Sequence, residues 1–255
     1  MNDIELWQGD CLELMKNIED KSIDCIICDL PYGTTACKWD SVIDLEKLWE
    51  EYKRIITNKG VICLFGQEPF SSRVRISNIE MYRYDWVWKK QRPSNFQLMG
   101  YQPGRVHENI MVFSKGKVCY TKNGNNSVYN PQLVERDNPR TSNVKIYGDT
   151  ETNILHSYNN GKKDNIKTYT HKQPITILEF NTVEKGKKHP TQKPVDLIGY
   201  LIKTYTNEND LVLDNCMGSG STGVACKQLG RRFIGIEKEE GYFKIAKERI
   251  EKGYE

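Results

Sequence analysis

The chain has 255 residues and a formal net charge of +3, and 38% of its residues are hydrophobic and 28% charged. This balance excludes a disordered chain, and no apolar run approaches the roughly 18 residues that a membrane helix needs. Because no long apolar stretch follows Lys16, the first basic residue, we expect no secretory signal, a cytoplasmic location and reduced cysteines.

Residues 1–115 alternate predicted strands with predicted helices. Apolar runs predict strands at 3–8, 23–28, 61–65, 84–88 and 109–113, and apolar residues at helical spacing predict helices at 11–18 and 45–56. We expect Gly60 to end the second helix in the left-handed conformation. The alternation predicts an α/β fold with a mostly parallel, twisted sheet that carries helices on both faces.

Residues 116–188 have a different composition, in which Asn, Lys, Thr, Tyr and Gly dominate and apolar periodicity is weak. This predicts an irregular insertion in the α/β domain. Residues 115–193 contain twelve Lys and two Arg against four Glu and three Asp, a net charge of +7, which leaves −4 for the rest of the chain. The asymmetry favours contact with a polyanion, and a solvated lysine-rich surface explains it equally well.

Residues 189–255 return to a regular pattern. A helix is predicted at 195–204, a strand at 210–214, a helix after the glycine-rich turn 218–223, a strand at 232–237 and a helix at 242–250. Pro194 suits the first turn of its helix, and Gly230 suits the end of the helix that precedes the last strand.

The glycine-rich turn is the first indication of chemistry. Strand, turn and helix follow one another there, and Glu237 ends the next strand, where an acid can accept hydrogen bonds from both ribose hydroxyls. The turn also satisfies the dinucleotide pattern, so a nicotinamide or flavin cofactor is an alternative. Asp214 disfavours it, because a carboxylate before the turn suits a cationic ligand better than a pyrophosphate. S-adenosylmethionine (SAM) is such a ligand.

The second indication is Asp29-Leu30-Pro31-Tyr32, directly after the buried strand 23–28. A carboxylate, backbone carbonyls and an aromatic ring together can hold a flat heterocycle that bears an amino group. Alone, the string reads most simply as a turn. In an open α/β sheet, however, ligands bind at the carboxyl ends of strands, so neighbouring strands ending at Asp29 and Asp214 predict methyl transfer to an amine.

Other polar and aromatic residues have simpler interpretations. Cys25 and Cys28 lie in a predicted buried strand, so we expect small hydrophobes there and no metal site. His107 and Glu108 are interpreted as a surface pair at the start of a strand. Trp86 and Trp88 are expected to be packing residues.

With these motifs, the sequence resembles the amino-group (N6-adenine/N4-cytosine) DNA methyltransferases over nearly the whole chain outside the insertion. Asp29-Leu30-Pro31-Tyr32 is similar to the family's acceptor motif, although Leu30 replaces the more usual Pro. The segment 214–221 is similar to its cofactor loop, with Asn215-Cys216 in place of Pro-Phe, so that the aromatic wall against the cofactor is missing. The segment 189–194, His-Pro-Thr-Gln-Lys-Pro, is similar to the part that closes over the methionine end of SAM.

The order of these motifs is that of the beta arrangement, in which a Rossmann-like methyltransferase sheet is circularly permuted. The resemblance implies SAM as cofactor, double-stranded DNA as partner and no membrane. It is compatible with a homodimer and with a restriction endonuclease partner. It implies residues 1–115 and 189–255 as the catalytic domain and 116–188 as the inserted target-recognition region. The stretch 86–105 is interpreted as a second DNA surface or, equally well, as an exposed loop.

The resemblance also implies roles for individual residues. Asp29 and the carbonyl of Leu30 or Pro31 accept both amino hydrogens of a flipped base on which Tyr32 stacks. Cofactor contacts are expected from Asp10, Cys11, Asp29, His189, Thr191, Lys193, Asp214, Asn215, Cys216, Gly218, Ser219, Gly220, Ser221, Thr222, Glu237 and Lys238. DNA contacts are expected from Lys89, Lys90, Arg92, Asn95, Arg136 and Arg140.

An acid at position 29 resembles the adenine-N6 branch more than the cytosine-N4 branch, where Ser is commoner. The leading hypothesis is therefore a site-specific DNA adenine-N6 methyltransferase of restriction–modification type. Four alternatives stay open: cytosine-N4 methylation, methylation of a protein or RNA amine, a dinucleotide-dependent oxidoreductase, and a catalytically silent DNA-binding homologue.

Overall fold

Strands and helices alternate along most of the computed structural model, which describes residues 4–33, 42–119, 124–144, 165–184, 186–189 and 191–253. The strands are β1 (Ile4–Gln8), β2 (Ile23–Cys28), β3 (Ile56–Gly66), β4 (Tyr82–Lys89), β5 (His107–Ser114), β6 (Val134–Val144), β7 (Asn165–Lys172), β8 (Ile177–Glu179), β9 (Leu211–Asp214) and β10 (Arg232–Glu237). The α-helices are α1 (Cys11–Leu14), α2 (Leu45–Ile55), α3 (Phe70–Ser77), α4 (Val195–Tyr205), α5 (Ser221–Leu229) and α6 (Glu240–Lys252). Single 3-10 turns follow at Met15–Asn17 and Phe96–Leu98.

Eight of these strands form one sheet in the order β1-β10-β9-β2-β3-β5-β4-β8. The four pairings from β1 to β3 are parallel, as is that of β4 with β8, whereas β5 runs antiparallel to β3 and β4. The predicted mostly parallel α/β sheet is therefore confirmed. The pairing of β1 with β10 joins strands from opposite ends of the described chain, as the permuted arrangement requires.

Apolar side chains of β2 pack on both faces of the sheet. Cys25 and Ile27 belong to a core cluster with α4 and α5, whereas Ile26 and Cys28 belong to a second cluster with α1 and α2. Both cysteines are buried, which confirms their interpretation as small hydrophobes. A strand buried on both faces reads as a continuous apolar run, the pattern by which β2 was predicted.

The strands β2 and β9 are neighbours, with Cys25 opposite Val212 and Ile26 opposite Leu213. Since β1, β10, β9 and β2 are all parallel, their carboxyl ends lie at the same edge of the sheet. The residues that end or follow these strands, from Gly9 to Glu237, are thereby gathered at one place.

Two local predictions were wrong, and one helix was missed. Gly60 does not end α2, because the chain is already extended at Ile56 and continues as β3, where the Gly60 carbonyl accepts a 2.7 Å hydrogen bond from Ser114 Oγ. The predicted helix 11–18 is one α-helical turn followed by a 3-10 turn. The short helix α3 was not predicted, because its two buried apolar anchors, Phe70 and Val74, make too short a pattern.

The chain divides into two compact units, Met1–Asn130 with Thr176–Glu255, and Pro131–Ile175. The smaller unit contains the antiparallel pair β6 and β7, where no regular structure was predicted. It is shorter than the predicted insertion 116–188: β8 pairs with β4 in the larger unit, and Asn130 N donates to the carbonyl of Thr204 at 2.7 Å. Within the described part of the chain, no helix is long and apolar enough to cross a membrane.

Candidate active site

Asp29 directly follows β2, and both of its carboxylate oxygens are engaged. Tyr32 Oη donates to Oδ1 at 2.7 Å, and Lys193 Nζ donates to Oδ2 at 2.5 Å. The Tyr32 ring stacks on Phe70, with ring centroids 4.9 Å apart and an interplanar angle of 30°. Loss of hydration raises the pKa of Asp29 above its usual value, and the Lys193 ammonium opposes this rise.

A cluster of buried charges supports Asp29 from behind. Lys193 Nζ lies 3.4 Å from Glu108 Oε2, while Glu108 Oε1 accepts hydrogen bonds from Lys90 Nζ and, at 3.1 Å, from Gln67 Nε2. Lys90, Glu108 and Lys193 are all less than 10% exposed. Burial works to raise the pKa of Glu108, but Lys193 and Lys90 together hold it below its usual range. Two carboxylates and two ammonium groups thus neutralise each other beside the acceptor motif.

This cluster corrects two sequence-based expectations. Glu108 is not a surface residue: it is buried at the start of β5, while its neighbour His107 is exposed. Lys90 is not free to contact DNA phosphate, because its ammonium is ion-paired with Glu108 in the interior. Glu108 and Gln67 were missed because each is a single polar residue with no motif around it. An acidic partner for Lys90 and Lys193 was the one requirement that could have pointed to Glu108.

Asp214 ends β9, next to the strand that leads to Asp29. Its Oδ2 accepts a 2.6 Å hydrogen bond from Thr222 Oγ1, and its Oδ1 accepts one from Cys216 N at 3.2 Å. Only 5% of Asp214 is exposed, and this burial raises its pKa to about 7 in spite of both hydrogen bonds. The carboxylate is therefore held at a free-energy cost in the absence of a cationic partner.

The glycines of the turn allow the backbone to bend tightly into α5. Gly218 and Gly220 adopt left-handed φ values of 54° and 79°. A Cβ at Gly220 would lie 3.0 Å from Ala246 and Ile250, so the turn also packs closely on α6. Of the residues predicted to contact the cofactor, Gly220 alone does not line the cavity described below, and its role is to shape the turn.

Two more carboxylates flank the turn. Glu237 ends β10 and accepts hydrogen bonds at 2.8 Å from Gly218 N and from Glu239 N, while burial raises its pKa. Asp10 caps α1 by accepting from Leu12 N at 3.0 Å, and Lys238 Nζ lies 3.1 Å from its other oxygen. Both acids lie at the strand ends where they were predicted.

The segment 189–193 lies against the glycine-rich turn, although Pro190 is outside the described residues. The His189 ring meets Tyr242 edge-on, with centroids 4.2 Å apart, and its Nδ1 lies 3.0 Å from Thr191 Oγ1. Burial lowers the pKa of His189 to about 4, so the ring is neutral near pH 7. Ser221 Oγ donates to the Lys193 carbonyl at 2.9 Å, which ties the segment to the start of α5.

A single cavity of about 880 Å³ joins these parts. It is lined by the acceptor motif, by Asp214 and Glu237, by the turn residues Gly218, Ser219, Ser221 and Thr222, and by His189, Thr191, Gln192 and Lys193. Trp88 and Tyr242, which were not predicted to lie there, line it as well. Its volume is within the range of sites for small molecules and cofactors. Acidic side chains line it at several points: Asp29 after β2, Asp214 at the end of β9, Glu237 at the end of β10, and Asp10.

The predicted DNA contacts are distributed over three places. Arg92 and Asn95 line the cavity, whereas Lys89 is outside it and paired with Glu179 at 2.8 Å. Arg136 and Arg140 lie on β6 of the smaller unit, where Arg136 Nε donates to the carbonyl of His171 at 3.1 Å. Their contact with DNA remains a prediction.

A family model described as DNA methylase (N6/N4 methyltransferases) matches residues 23–248. The type II methyltransferase M2.LlaDCHI of Lactococcus lactis subsp. cremoris is 56% identical over 261 residues, which cover 97% of this chain and 89% of the relative.

Among solved structures, the M1.HpyAVI–SAM complex is similar, with a TM-score of 0.61, 26% identity and coverage of 96% of this chain and 99% of that one. The cytosine-N4-specific PvuII DNA methyltransferase shares the fold, with a TM-score of 0.65 at 15% identity and coverage of 100% and 92%. The family match covers most of the chain and includes both Asp29, which follows β2, and Asp214, which ends β9. The chain therefore belongs to the N6/N4 DNA methylase family, whose members are SAM-dependent DNA methyltransferases.

Proposed function

We propose that the protein methylates the exocyclic N6 of an adenine that is flipped out of double-stranded DNA. The observation that carries this proposal is the position of Asp29 and Asp214, which follow or end two neighbouring parallel strands and line one cavity. One acid serves the amine and the other serves the cationic cofactor.

The acceptor side of the cavity has the groups that an aromatic amine needs. The lone pair of such an amine is conjugated into the ring, which makes the nitrogen a poor nucleophile. When Asp29 and the carbonyl of Leu30 or Pro31 accept both amino hydrogens, the lone pair localises on nitrogen. Tyr32 Oη fixes the Asp29 carboxylate by its 2.7 Å hydrogen bond, so the acceptor is oriented before the base arrives.

The charges around Asp29 set its protonation state. Burial alone would favour the neutral acid, which is a weaker hydrogen-bond acceptor and cannot take up a proton. The Lys193 ammonium at 2.5 Å favours the carboxylate, and Glu108 holds Lys193 in place at 3.4 Å. The Lys193 ammonium thus favours a carboxylate at position 29, and a carboxylate can also take the proton that the amine must lose after methylation.

The residues of the turn fit SAM on chemical grounds. SAM carries a sulfonium and an ammonium, and the buried Asp214 carboxylate, with a pKa of about 7, has its charge stabilised by a cation. Glu237 presents a second carboxylate at the end of β10, where ribose hydroxyls are commonly bound. When bound, SAM supplies an electrophilic methyl group to the cavity.

The smaller unit, Pro131–Ile175, together with the rest of 116–188, is proposed to read the target sequence. Lys, Arg and Asn side chains suit phosphates and base edges. If Arg136 and Arg140 contact phosphates, the double alanine variant binds DNA more weakly, with the salt slope reduced by about one per lost contact. A slope equal to that of the wild type would contradict this role. A DNA substrate agrees with the cytoplasmic location expected from the sequence.

The test is a nucleoside analysis. The protein is incubated with mixed-sequence duplex DNA and SAM labelled in its methyl group, and the digested product is resolved into methylated nucleosides. Labelled N6-methyladenosine is the expected product, and labelled N4-methylcytosine would overturn the assignment of the base. Asp29→Asn, which keeps the size of the side chain, should bind SAM normally and lose methylation. Full methylation by Asp29→Ala would refute the mechanism.

A further inference from the structure

The connection between β4 and β5, residues 90–106, is a loop with a fixed neck. Ser94 N donates to the Arg105 carbonyl at 2.9 Å, and Asn95 Oδ1 accepts from Arg105 N at 2.5 Å. Asn95 Nδ2 also donates to the Pro103 carbonyl at 3.1 Å. Asn95 therefore bridges the two sides of the neck, and the residues beyond it are presented as one tip.

That tip is apolar and exposed to solvent. Its four large hydrophobic residues are Phe96, Leu98, Met99 and Tyr101, which we call the apolar tip, and they are 70%, 49%, 51% and 93% exposed. The 3-10 turn Phe96–Leu98 and a 2.9 Å hydrogen bond from Tyr101 N to the Leu98 carbonyl hold them together. Single exposed hydrophobic residues are common, whereas four within six positions of one loop form a patch, which calls for a partner.

The apolar tip lies next to the acceptor side of the active site. A second cavity, of about 570 Å³, is lined by Phe96 and Leu98 on one side and by Tyr32 and Pro69 on the other. The two cavities share several lining residues: Tyr32, Gln67, Ser94, Asn95 and Arg105. The tip is therefore continuous with the place that receives the substrate amine.

The chemistry of the partner follows from what surrounds the tip. Arg92, whose side chain is 76% exposed, lies at its base and is paired at 3.5 Å with Glu184, which is 49% exposed. An ion pair this exposed is weak, so the guanidinium can exchange the carboxylate for a phosphate and give a cationic flank, which suits a polyanion with an apolar interior. Duplex DNA has this character, since phosphates lie outside stacked bases. Flipping a base costs a few kcal/mol of stacking and pairing and leaves a gap in the stack, and other DNA-binding proteins insert apolar side chains between base steps.

We propose that the apolar tip, with Phe96 and Tyr101 foremost, enters the duplex at the target base pair and fills the space that the flipped adenine leaves. This inference rests on the proposed function, because the space that the tip fills arises only when the target base is extruded. The neck at Asn95 holds the wedge beside the cavity, so insertion of the tip and entry of the base occur at adjacent points.

The experiment compares two DNA substrates that differ in the cost of flipping. One duplex carries the unmethylated target site with the target adenine in a normal base pair. The other carries the same site with the target adenine unpaired, opposite an abasic position. Single-turnover methylation and DNA affinity are measured for the wild type, for Phe96→Ala and for Tyr101→Ala. Ile76→Ala is the matched control, because Ile76 is 76% exposed on α3 and lines neither cavity.

On the paired duplex, each tip variant should be about 10- to 100-fold slower or weaker, the range for losing one aromatic stacking contact. On the unpaired duplex, both variants should approach the wild type, Ile76→Ala should equal it on both, and Tyr101→Phe should retain full activity. Equal losses on both duplexes, or no loss on either, would overturn the wedge.

A separate readout distinguishes this failure from failure of the proposed function. With 2-aminopurine at the target position, the wild type should produce a rise in fluorescence as the base leaves the stack. A wild type that neither flips nor methylates the base refutes the proposed function and, with it, the wedge. A wild type that flips the base equally well with and without Phe96 and Tyr101 refutes the wedge alone. SAM affinity verifies that each variant is folded, because no residue of the apolar tip lines the cavity that is proposed to hold SAM.

Discussion

Protonation of Asp214 should make the affinity for SAM depend on pH. The structure places this carboxyl in the interior, hydrogen-bonded to Thr222 Oγ1 and Cys216 N, with a pKa of about 7. A cationic ligand binds to the ionised form, so SAM binding should draw a proton off Asp214 near neutral pH. As the pH falls below 7, Asp214 is neutral in an increasing fraction of the free protein, and the neutral acid does not favour a cation.

The size of the effect follows from the pKa. If only the ionised form binds, lowering the pH from about 7.5 to about 5.5 raises the apparent Kd for SAM about 25-fold. The ammonium of SAM changes far less, because α-amino groups that titrate at about 7.7–8.0 are about 60–75% protonated at pH 7.5 and almost fully protonated at pH 5.5, an opposing factor of at most about 1.6. His189 stays neutral, because burial lowers its pKa to about 4.

Isothermal titration calorimetry measures both the Kd and the proton released, the latter from the dependence of the binding enthalpy on the buffer. The matched control is Asp214→Asn, which should bind SAM weakly at every pH and show a flatter profile. Glu237 and Asp29, whose pKa values are also raised by burial, are present in both proteins, so the difference isolates Asp214. An Asp214→Asn profile as steep as that of the wild type would refute the reasoning.

Three further outcomes are expected. In the ligand-free protein above pH 7, Asp214→Asn should raise the free energy of unfolding by up to about 4 kcal/mol. The reason is that folding raises the pKa of Asp214 to about 7, so the carboxyl destabilises the folded state increasingly as pH rises from the unfolded pKa to about 7, and fully above it. Urea titrations at acid and alkaline pH test this, and an equal gain below pH 4 would contradict it. Lys193→Met should shift the methylation profile towards higher pH, because the ammonium that opposes the raised pKa of Asp29 is lost; an unchanged profile in single-turnover rates would contradict the ion pair. Tyr52→Phe should lower the free energy of unfolding by about 1–3 kcal/mol. Tyr52 Oη donates at 2.5 Å to the buried Asn215 Oδ1, and loss of the hydroxyl leaves that oxygen without this hydrogen bond. Stability equal to that of the wild type in urea titrations would contradict it.

The parts of the site that could be predicted are those whose position depends on one strand and its end. Asp29 and Asp214 each follow an apolar run, and the rule that ligands bind at the carboxyl ends of parallel strands sufficed to bring them together. Glu237 and Asp10 followed by the same argument. These inferences needed local pattern and topology but no side-chain packing.

The parts that could not be predicted depend on contacts between distant segments. Glu108 is buried because Lys90 and Lys193 both reach it, and no periodicity in the sequence connects these three positions. Gly60 was expected to stop a helix, but pairing of β3 with β5 overrode the local preference and drew it into a strand. Tertiary contacts, rather than propensity, decided both cases.

The pairing of β1 with β10 also has a consequence for how the protein folds during its synthesis on the ribosome. Ile4 lies opposite Phe233, a separation of 229 positions. At about 5–20 residues per second on the ribosome, β1 waits roughly 10–45 s for its partner strand to be made. The strand β2 can pair with β3 early, whereas β9 and β10, which end at Asp214 and Glu237, are synthesised after the other strands of the sheet. A nascent chain therefore cannot complete the cavity that Asp29, Asp214 and Glu237 line until β10 has been synthesised.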